Sequence, residues 1–248
     1  RQGAYREARS ALEAVLQIAR SLGDRRGEAL SLNNIGHVEA LKGAYAVALP
    51  ILREALALAE QIGAHLIAMD ALEVVGTVHV SQGAYAEAQA SFEKALTMAR
   101  TMKLPIMEGR MLHYLGQVSL AKTALNDAQR YEEGALQVAQ QIVDRRMEAL
   151  ALHGLGEIEL ARGRYAESRR MLEGSDRLAE ELRLSDVLWQ NRYGLGRIHE
   201  VQGDNDAALP LYREAATISN GLTSQFSEEQ ERQTFLANKM SAYDALAR

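Results

Sequence analysis

The chain has 248 residues, 47% apolar and 25% charged, with a formal net charge of −5 at pH 7, a balance ordinary for a globular chain and wrong for a nucleic-acid surface. It has no cysteine, which excludes disulfides, thiolate metal sites and cysteine nucleophiles. No apolar run approaches the roughly 18 residues of a membrane span and no signal-peptide pattern opens the chain, so the expected location is cytoplasmic, with no membrane and no nucleic-acid partner.

Taken in chain order, the first segment, Gly3-Ala-Tyr-Arg-Glu-Ala, starts a helical run at a turn glycine. The chain thus opens inside a repeat, and it reads as a piece of a longer protein. Ala29, Leu32, Ile35 and Val38 then recur at helical spacing until Gly43, and Tyr45, Ala48, Leu52, Ala55, Leu56, Ala59 and Ile62 repeat that spacing until Gly63. The same two-run unit returns at one constant step, with GAYAEA at 83, TALNDA at 123, GRYAES at 163 and GDNDAA at 203. Asp24, Asp144 and Ser185 have the chemistry of helix N-caps between units, and Pro105 marks a break. Pro50 and Pro210 share one phase, early in two second helices, where a slight bend is expected. Ser227-Glu-Glu-Gln230 has the form of a capping box and predicts a helix through Phe235, Met240, Tyr243 and Leu246.

Two glycine phases organise the units. Gly43, Gly83, Gly163 and Gly203, with Thr123 in the same phase, fall where a positive φ ends the first helix cheaply. Gly36, Gly76, Gly116, Gly156 and Gly196 lie inside the first helix, where glycine costs about 1 kcal/mol against alanine. That cost predicts close approach of the second helix, with Ala48, Ala88, Ala128, Ser168 and Ala208, then Ala55, Ala95, Ala135, Ser175 and Ala215, as the small residues that allow it. A fixed period of this length is the mark of stacked supersecondary units. The expected fold is all-α: an α-solenoid of stacked antiparallel helix pairs. The repeat array is expected over 1–220, about five and a half units with the first truncated, and a capping or linker helix over 221–248.

The motif Leu32, Ile35-Gly36, Gly43, Tyr45, Ala48, repeated as Leu72, Val75-Gly76, Gly83, Tyr85, Ala88 and continued at Leu112, Leu115-Gly116 and Leu152, Leu155-Gly156, Gly163, Tyr165, resembles the tetratricopeptide repeat family in a longer-repeat form. The resemblance implies a right-handed superhelix whose first helices line a concave groove for peptides or partner proteins. Carried onto this sequence, it implies a groove faced by Asn33, Asn34 and His37, by Asp70, Glu73 and Thr77, by Arg110, His113, Tyr114 and Gln117, by His153 and Glu157, and by Gln190, Tyr193 and Arg197. The asparagine ladder of longer-repeat members is reduced to Asn34, with Val74, Tyr114, Gly154 and Gly194 in its phase. The usual aromatic three residues past the helix glycine is replaced by Glu39, His79, Ser119, Glu159 and His199, while Arg192 and Glu132 stand at apolar positions.

Five of the six histidines are read into first helices, and His113 and His153 share a phase, but a metal site needs ligands converging within about 2.0–2.2 Å of one ion. No HExxH, Walker or G-x-S-x-G motif occurs. The expectation is a non-enzymatic protein- or peptide-binding scaffold with no cofactor and no metal. The alternative is a sensor or regulatory arm of a larger protein whose downstream domain is the partner: Glu231–Leu246 is similar to the helix that joins tetratricopeptide arrays to caspase-like CHAT protease domains in bacteria, and the resemblance equally implies a bacterial signalling protein or transcription regulator.

Overall fold

The computed structural model describes residues 2–223. The expected helix after Ser227, and with it the resemblance to a linker helix, lies outside the described residues. Eleven helices are found among those residues: α1 (Gln2–Leu22), α2 (Arg25–Leu41), α3 (Tyr45–Gln61), α4 (His65–Ser81), α5 (Tyr85–Thr101), α6 (Pro105–Ala121), α7 (Leu125–Ile142), α8 (Arg145–Ala161), α9 (Tyr165–Glu181), α10 (Ser185–Val201) and α11 (Asn205–Thr223). No strand occurs among the described residues. The chain divides into two compact units, the first ending at Leu104 and the second starting at Pro105. The first holds α1 and the pairs α2/α3 and α4/α5. The second holds α6/α7, α8/α9 and α10/α11.

One link joins every helix to the next. A left-handed residue recurs at a constant step, at Gly23, Gly43, Gly63, Gly83, Lys103, Thr123, Val143, Gly163, Arg183 and Gly203. The residue after it donates its N–H to the carbonyl five residues earlier, as in Ala44 to Glu39 (2.9 Å), Ala124 to Ser119 (2.8 Å) and Leu184 to Ala179 (2.8 Å). Thr123 thus does what the glycines of its phase do. The sequence reading missed that the links between units follow the same rule, because Lys103, Val143 and Arg183 stand there without glycine's signature. Thr123 (φ 60°) and Val143 (φ 58°) are the strained positions among these, since a β-branched residue tolerates a positive φ poorly.

The helix-interior glycines are explained by one contact repeated five times. A Cβ on Gly36 would stand 2.6 Å from Leu52 Cγ, on Gly156 2.7 Å from Leu172 Cγ and on Gly196 2.6 Å from Tyr212 Cε1. On Gly76 it would strike the Phe92 ring, and on Gly116 it would lie 2.5 Å from Glu132 Oε1. Each second helix therefore seats one large side chain against the bare backbone of the first. Leu52, Phe92 and Leu172 are 0% exposed, and burying such a side chain contributes about 1.5–3 kcal/mol. The small residues flank this knob as expected: Ala48, Ala88, Ala128, Ser168, Ala55, Ala95, Ala135, Ser175 and Ala215 are all 0% exposed.

Asp24 and Asp144 cap α2 and α8 by accepting from Gly27 N and Met147 N. Ser185 does not cap α10; Leu184 holds that position and Ser185 is the first helical residue. Pro105 likewise begins α6, while α3 and α11 run on past Pro50 and Pro210. His65 opens α4, so all six histidines sit on first helices, one more than the sequence reading placed there. Glu39 and Glu159, in the phase of the missing aromatics, are buried and paired, Glu39 with Arg9 and Lys42, Glu159 with Arg162 and Arg164. Arg192 sits where earlier units have leucine and reaches Asp176 Oδ2 at 2.9 Å, with Glu180 and Glu214 beside it. Burial pushes the Asp176 carboxyl up to about 6 against the pull of Arg192.

Gly76→Ala tests the knob contact. Alanine gains about 1 kcal/mol of helix propensity, but its methyl meets a rigid, fully buried ring, and overpacking costs about 1–3 kcal/mol. The expected result is a net loss of stability in urea unfolding of the whole chain; a gain would show that Phe92 can yield.

Candidate functional site

The second unit contains a cleft of about 290 Å³ lined by His113, Gln117, Leu120, Ala121, Glu132, His153, Gly154, Glu157 and Gln190. Helix α8 packs against both α6 and α10, so first-helix residues one unit apart meet along this side. Phase then decides which side chains face it. His113 and His153 are one repeat apart, as are Gln117 and Glu157.

Glu132 on α7 is the knob over Gly116, the position held by Leu52, Phe92, Leu172 and Tyr212 in the other pairs. It is 1% exposed, and both its oxygens face His113 Nδ1, at 3.1 and 3.0 Å. The Gln117 amide nitrogen meets His113 Nε2 at 3.0 Å. That amide donates, so Nε2 accepts and Nδ1 carries the proton toward Glu132. Burial pushes the Glu132 pKa up, and His113 opposes the shift by charge and hydrogen bond. The same carboxyl requires Gly154, where a Cβ would fall 2.5 Å from Glu132 Cδ.

A second chain of bonds fixes the other imidazole. His153 Nδ1 lies 2.8 Å from Asn191 Oδ1, Asn191 Nδ2 donates to Ser175 Oγ (2.9 Å), and Ser175 Oγ donates to the Ala149 carbonyl (2.7 Å). Asn191 and Ser175 are both fully buried, so the ring is held from inside the helix pair. Glu157 pairs with Arg197 Nη1 at 3.2 Å, and its Oε1 lies where a Cβ on Gly194 would come within 2.9 Å. Arg197 also stacks over Tyr193, whose ring centroid is 5.5 Å from that of Tyr212. Among the described residues, no three histidine or acidic side chains form a metal-ligand set.

Five residues of the implied groove, His113, Gln117, His153, Glu157 and Gln190, are therefore brought together, with half-buried Tyr193 and Arg197 adjoining through Glu157. Tyr114 lies beside His113, ring centroids 6.2 Å apart, and Arg110 is half-buried one turn earlier on α6. Asn33 is buried at 4% exposure and presents no surface, Asn34 is half-buried, and His37 and Asp70 are exposed. Glu73 is half-buried, and Thr77 turns its hydroxyl to the Val74 carbonyl at 2.9 Å. Sequence reasoning noticed Glu132 only as a departure at an apolar position, and did not place it or Gly154 in a site. The signal was available, since these two departures, one on a second helix and one on the first helix that follows, bracket a single helix-pair step.

The family model for the MalT-like TPR region matches residues 1–240. Among curated proteins none matches the sequence. BtubC (BKLC) from P. vanneervenii is similar in structure at TM-score 0.73 and 16% identity, over 91% of this chain and 94% of that one. The apo form of RapI follows at TM-score 0.67 and 12% identity, over 98% of this chain and 73% of that one. The Rap conjugation gene regulator of plasmid pLS20, in complex with the Phr* peptide, has TM-score 0.64 and 18% identity, over 100% of this chain and 71% of that one. At these identities the likeness is one of fold: an all-α helical-repeat solenoid.

A carboxyl whose folded pKa is raised contributes stability that is full below the ordinary carboxylate range and is lost as pH rises through the raised value. Glu132→Gln keeps an acceptor for His113 Nδ1–H and removes the buried charge. Thermal unfolding between pH 4 and 8 is expected to show the variant at or above the wild type near neutrality, with the gap closing toward pH 4. A wild type that gains on the variant as pH rises would contradict the shift.

Proposed function

The chain belongs to the MalT-like TPR region family, and we propose that it is a non-enzymatic scaffold that binds a peptide or an extended protein segment along the first-helix side of its second unit. The observation that carries this reading is the cleft itself, built from five first-helix residues that α6, α8 and α10 bring to one place. A preformed concave surface binds without a large ordering cost, and this one rests on helices held by repeated knob contacts. The solved structure of the pLS20 Rap regulator in complex with the Phr* peptide lends support, since that chain is similar in fold. No helix among the described residues is long and apolar enough to cross a membrane.

Hydrogen-bond groups line the cleft from several helices, and none is arranged as a nucleophile with its base. His113 donates its Nδ1–H to Glu132, which binds the two side chains to each other. The arrangement fits recognition better than turnover.

Selection of a displayed dodecapeptide library on the immobilised chain tests the proposal. Enriched peptides should bind the wild type and lose at least tenfold in affinity when Arg110, Tyr114, Gln190 and Tyr193 are replaced together by alanine in a chain that still melts cooperatively. Peptides that bind the quadruple variant equally well would move the site elsewhere.

A further inference from the structure

Every polar residue that lines the cleft has a partner inside the protein. Both Glu132 oxygens face His113 Nδ1, and the Gln117 amide nitrogen meets His113 Nε2 at 3.0 Å. His153 Nδ1 is held by Asn191 Oδ1 (2.8 Å), and the Gln190 amide nitrogen donates to the Asp186 carbonyl (2.7 Å). Glu157 Oε2 is paired with Arg197 Nη1 at 3.2 Å. With those ends tied, most of the surface left to the cleft is carbon. Leu120, half-buried, and Ala121, exposed, supply aliphatic wall from the last turn of α6, and Gly154 adds bare backbone from α8.

Charge leaves this space to an uncharged occupant. Two ionisable pairs adjoin it, Glu132 with His113 and Glu157 with Arg197, so each carboxyl already has its counterpart, at 3.0 and 3.2 Å. No lysine, arginine or aspartate lines the cleft. An ammonium or a carboxylate entering it would give up water and meet no opposite charge that is not already paired, and burying a charge without a partner is costly. An apolar side chain bears no such cost. Water against carbon has few groups to bond, and displacing poorly ordered water by an apolar group gains affinity. The backbone that carries such a side chain brings N–H groups, which the carboxamide oxygens of Gln117 and Gln190 can accept.

Size narrows the ligand further. About 290 Å³ is the liquid share of roughly ten waters, at about 30 Å³ each. It is at the lower edge of the roughly 300–1,000 Å³ found for whole small-molecule sites, and suits one large side chain. We propose that the cleft among α6, α7, α8 and α10 is a specificity pocket for one large apolar side chain of the bound peptide. This rests on the scaffold reading above and adds the chemistry of its ligand.

The test uses the whole chain and the N-acetyl, N′-methylamide derivatives of leucine, phenylalanine, lysine and glutamate, followed through the imidazole ¹⁵N signals of His113 and His153. The leucine or phenylalanine compound should shift both signals saturably, with a Kd at least tenfold below those of the lysine and glutamate compounds. Ala121→Leu adds bulk at an exposed wall position, and should weaken that binding at least fivefold with an unchanged melting temperature. Ala121→Ser adds little bulk and should bind within twofold of the wild type. Absent saturation, or a lysine or glutamate compound that binds as tightly, overturns the assignment. An Ala121→Leu chain that binds as tightly as the wild type puts the side chain elsewhere and overturns it too. Library peptides that bind with no enrichment of large apolar residues and leave both signals unmoved overturn the pocket and spare the scaffold. If the leucine compound saturates the cleft while no library peptide binds, the scaffold reading fails, and the peptide is overturned as the source of the side chain.

Discussion

The seat that each first helix offers to one large side chain of the second is the contact on which the rest depends. Gly36, Gly76, Gly116, Gly156 and Gly196 give up helix propensity, and Leu52, Phe92, Glu132, Leu172 and Tyr212 fill the space that results. The trade is favourable for an apolar knob, because the roughly 1 kcal/mol lost at glycine is less than the burial of a leucine or phenylalanine contributes. Once that contact sets the approach of the two helices, the flanking alanines and serines can be fully buried, and the recurring left-handed link returns the chain for the next pair.

This physics determines what could be read in advance. Periodicity identifies the helices because an amphipathic face has to recur with the helical turn, and glycine marks six of the ten links because a positive φ favours it. The links at Lys103, Val143 and Arg183 were not legible, since side-chain identity there carries no trace of the backbone angle imposed by the neighbouring helices. The same limit applies to the knobs. A glycine in a helix announces that something comes close, but its partner stands on the next helix, and only the packed pair shows that Leu52 rather than Ala48 enters the seat.

The cleft was half legible. His113, Gln117, His153, Glu157 and Gln190 are among the positions that the family resemblance implies, and they meet because first-helix positions one repeat apart line one side. Glu132 and Gly154 are not among them, since one belongs to a second helix and the other has no side chain to attract notice. What makes them a unit is that the carboxyl fills the space a Cβ would take. Arg192 with Asp176 is an instructive contrast, for there too a charged pair replaces leucines, but it is bound into a network with Glu180 and Glu214 between α9, α10 and α11. Charge at a core position is thus not a site by itself. The Glu132–His113 pair differs in lining a cleft.

The central claim is that this cleft was made by altering one knob contact at a cost to stability. The pairing found at α2 and α3, with asparagine in the phase of His113 and leucine at the knob, supplies the unaltered form within the same chain. The most direct measurement is the unfolding free energy at pH 7 of the double variant His113→Asn/Glu132→Leu. Exchange of a buried ionisable pair for a well-packed apolar contact is commonly neutral or stabilising by about 1–4 kcal/mol, and a gain in that range is the result predicted here. A double variant less stable than the wild type would mean that the pair holds the helices together, and that the cleft is a by-product of packing.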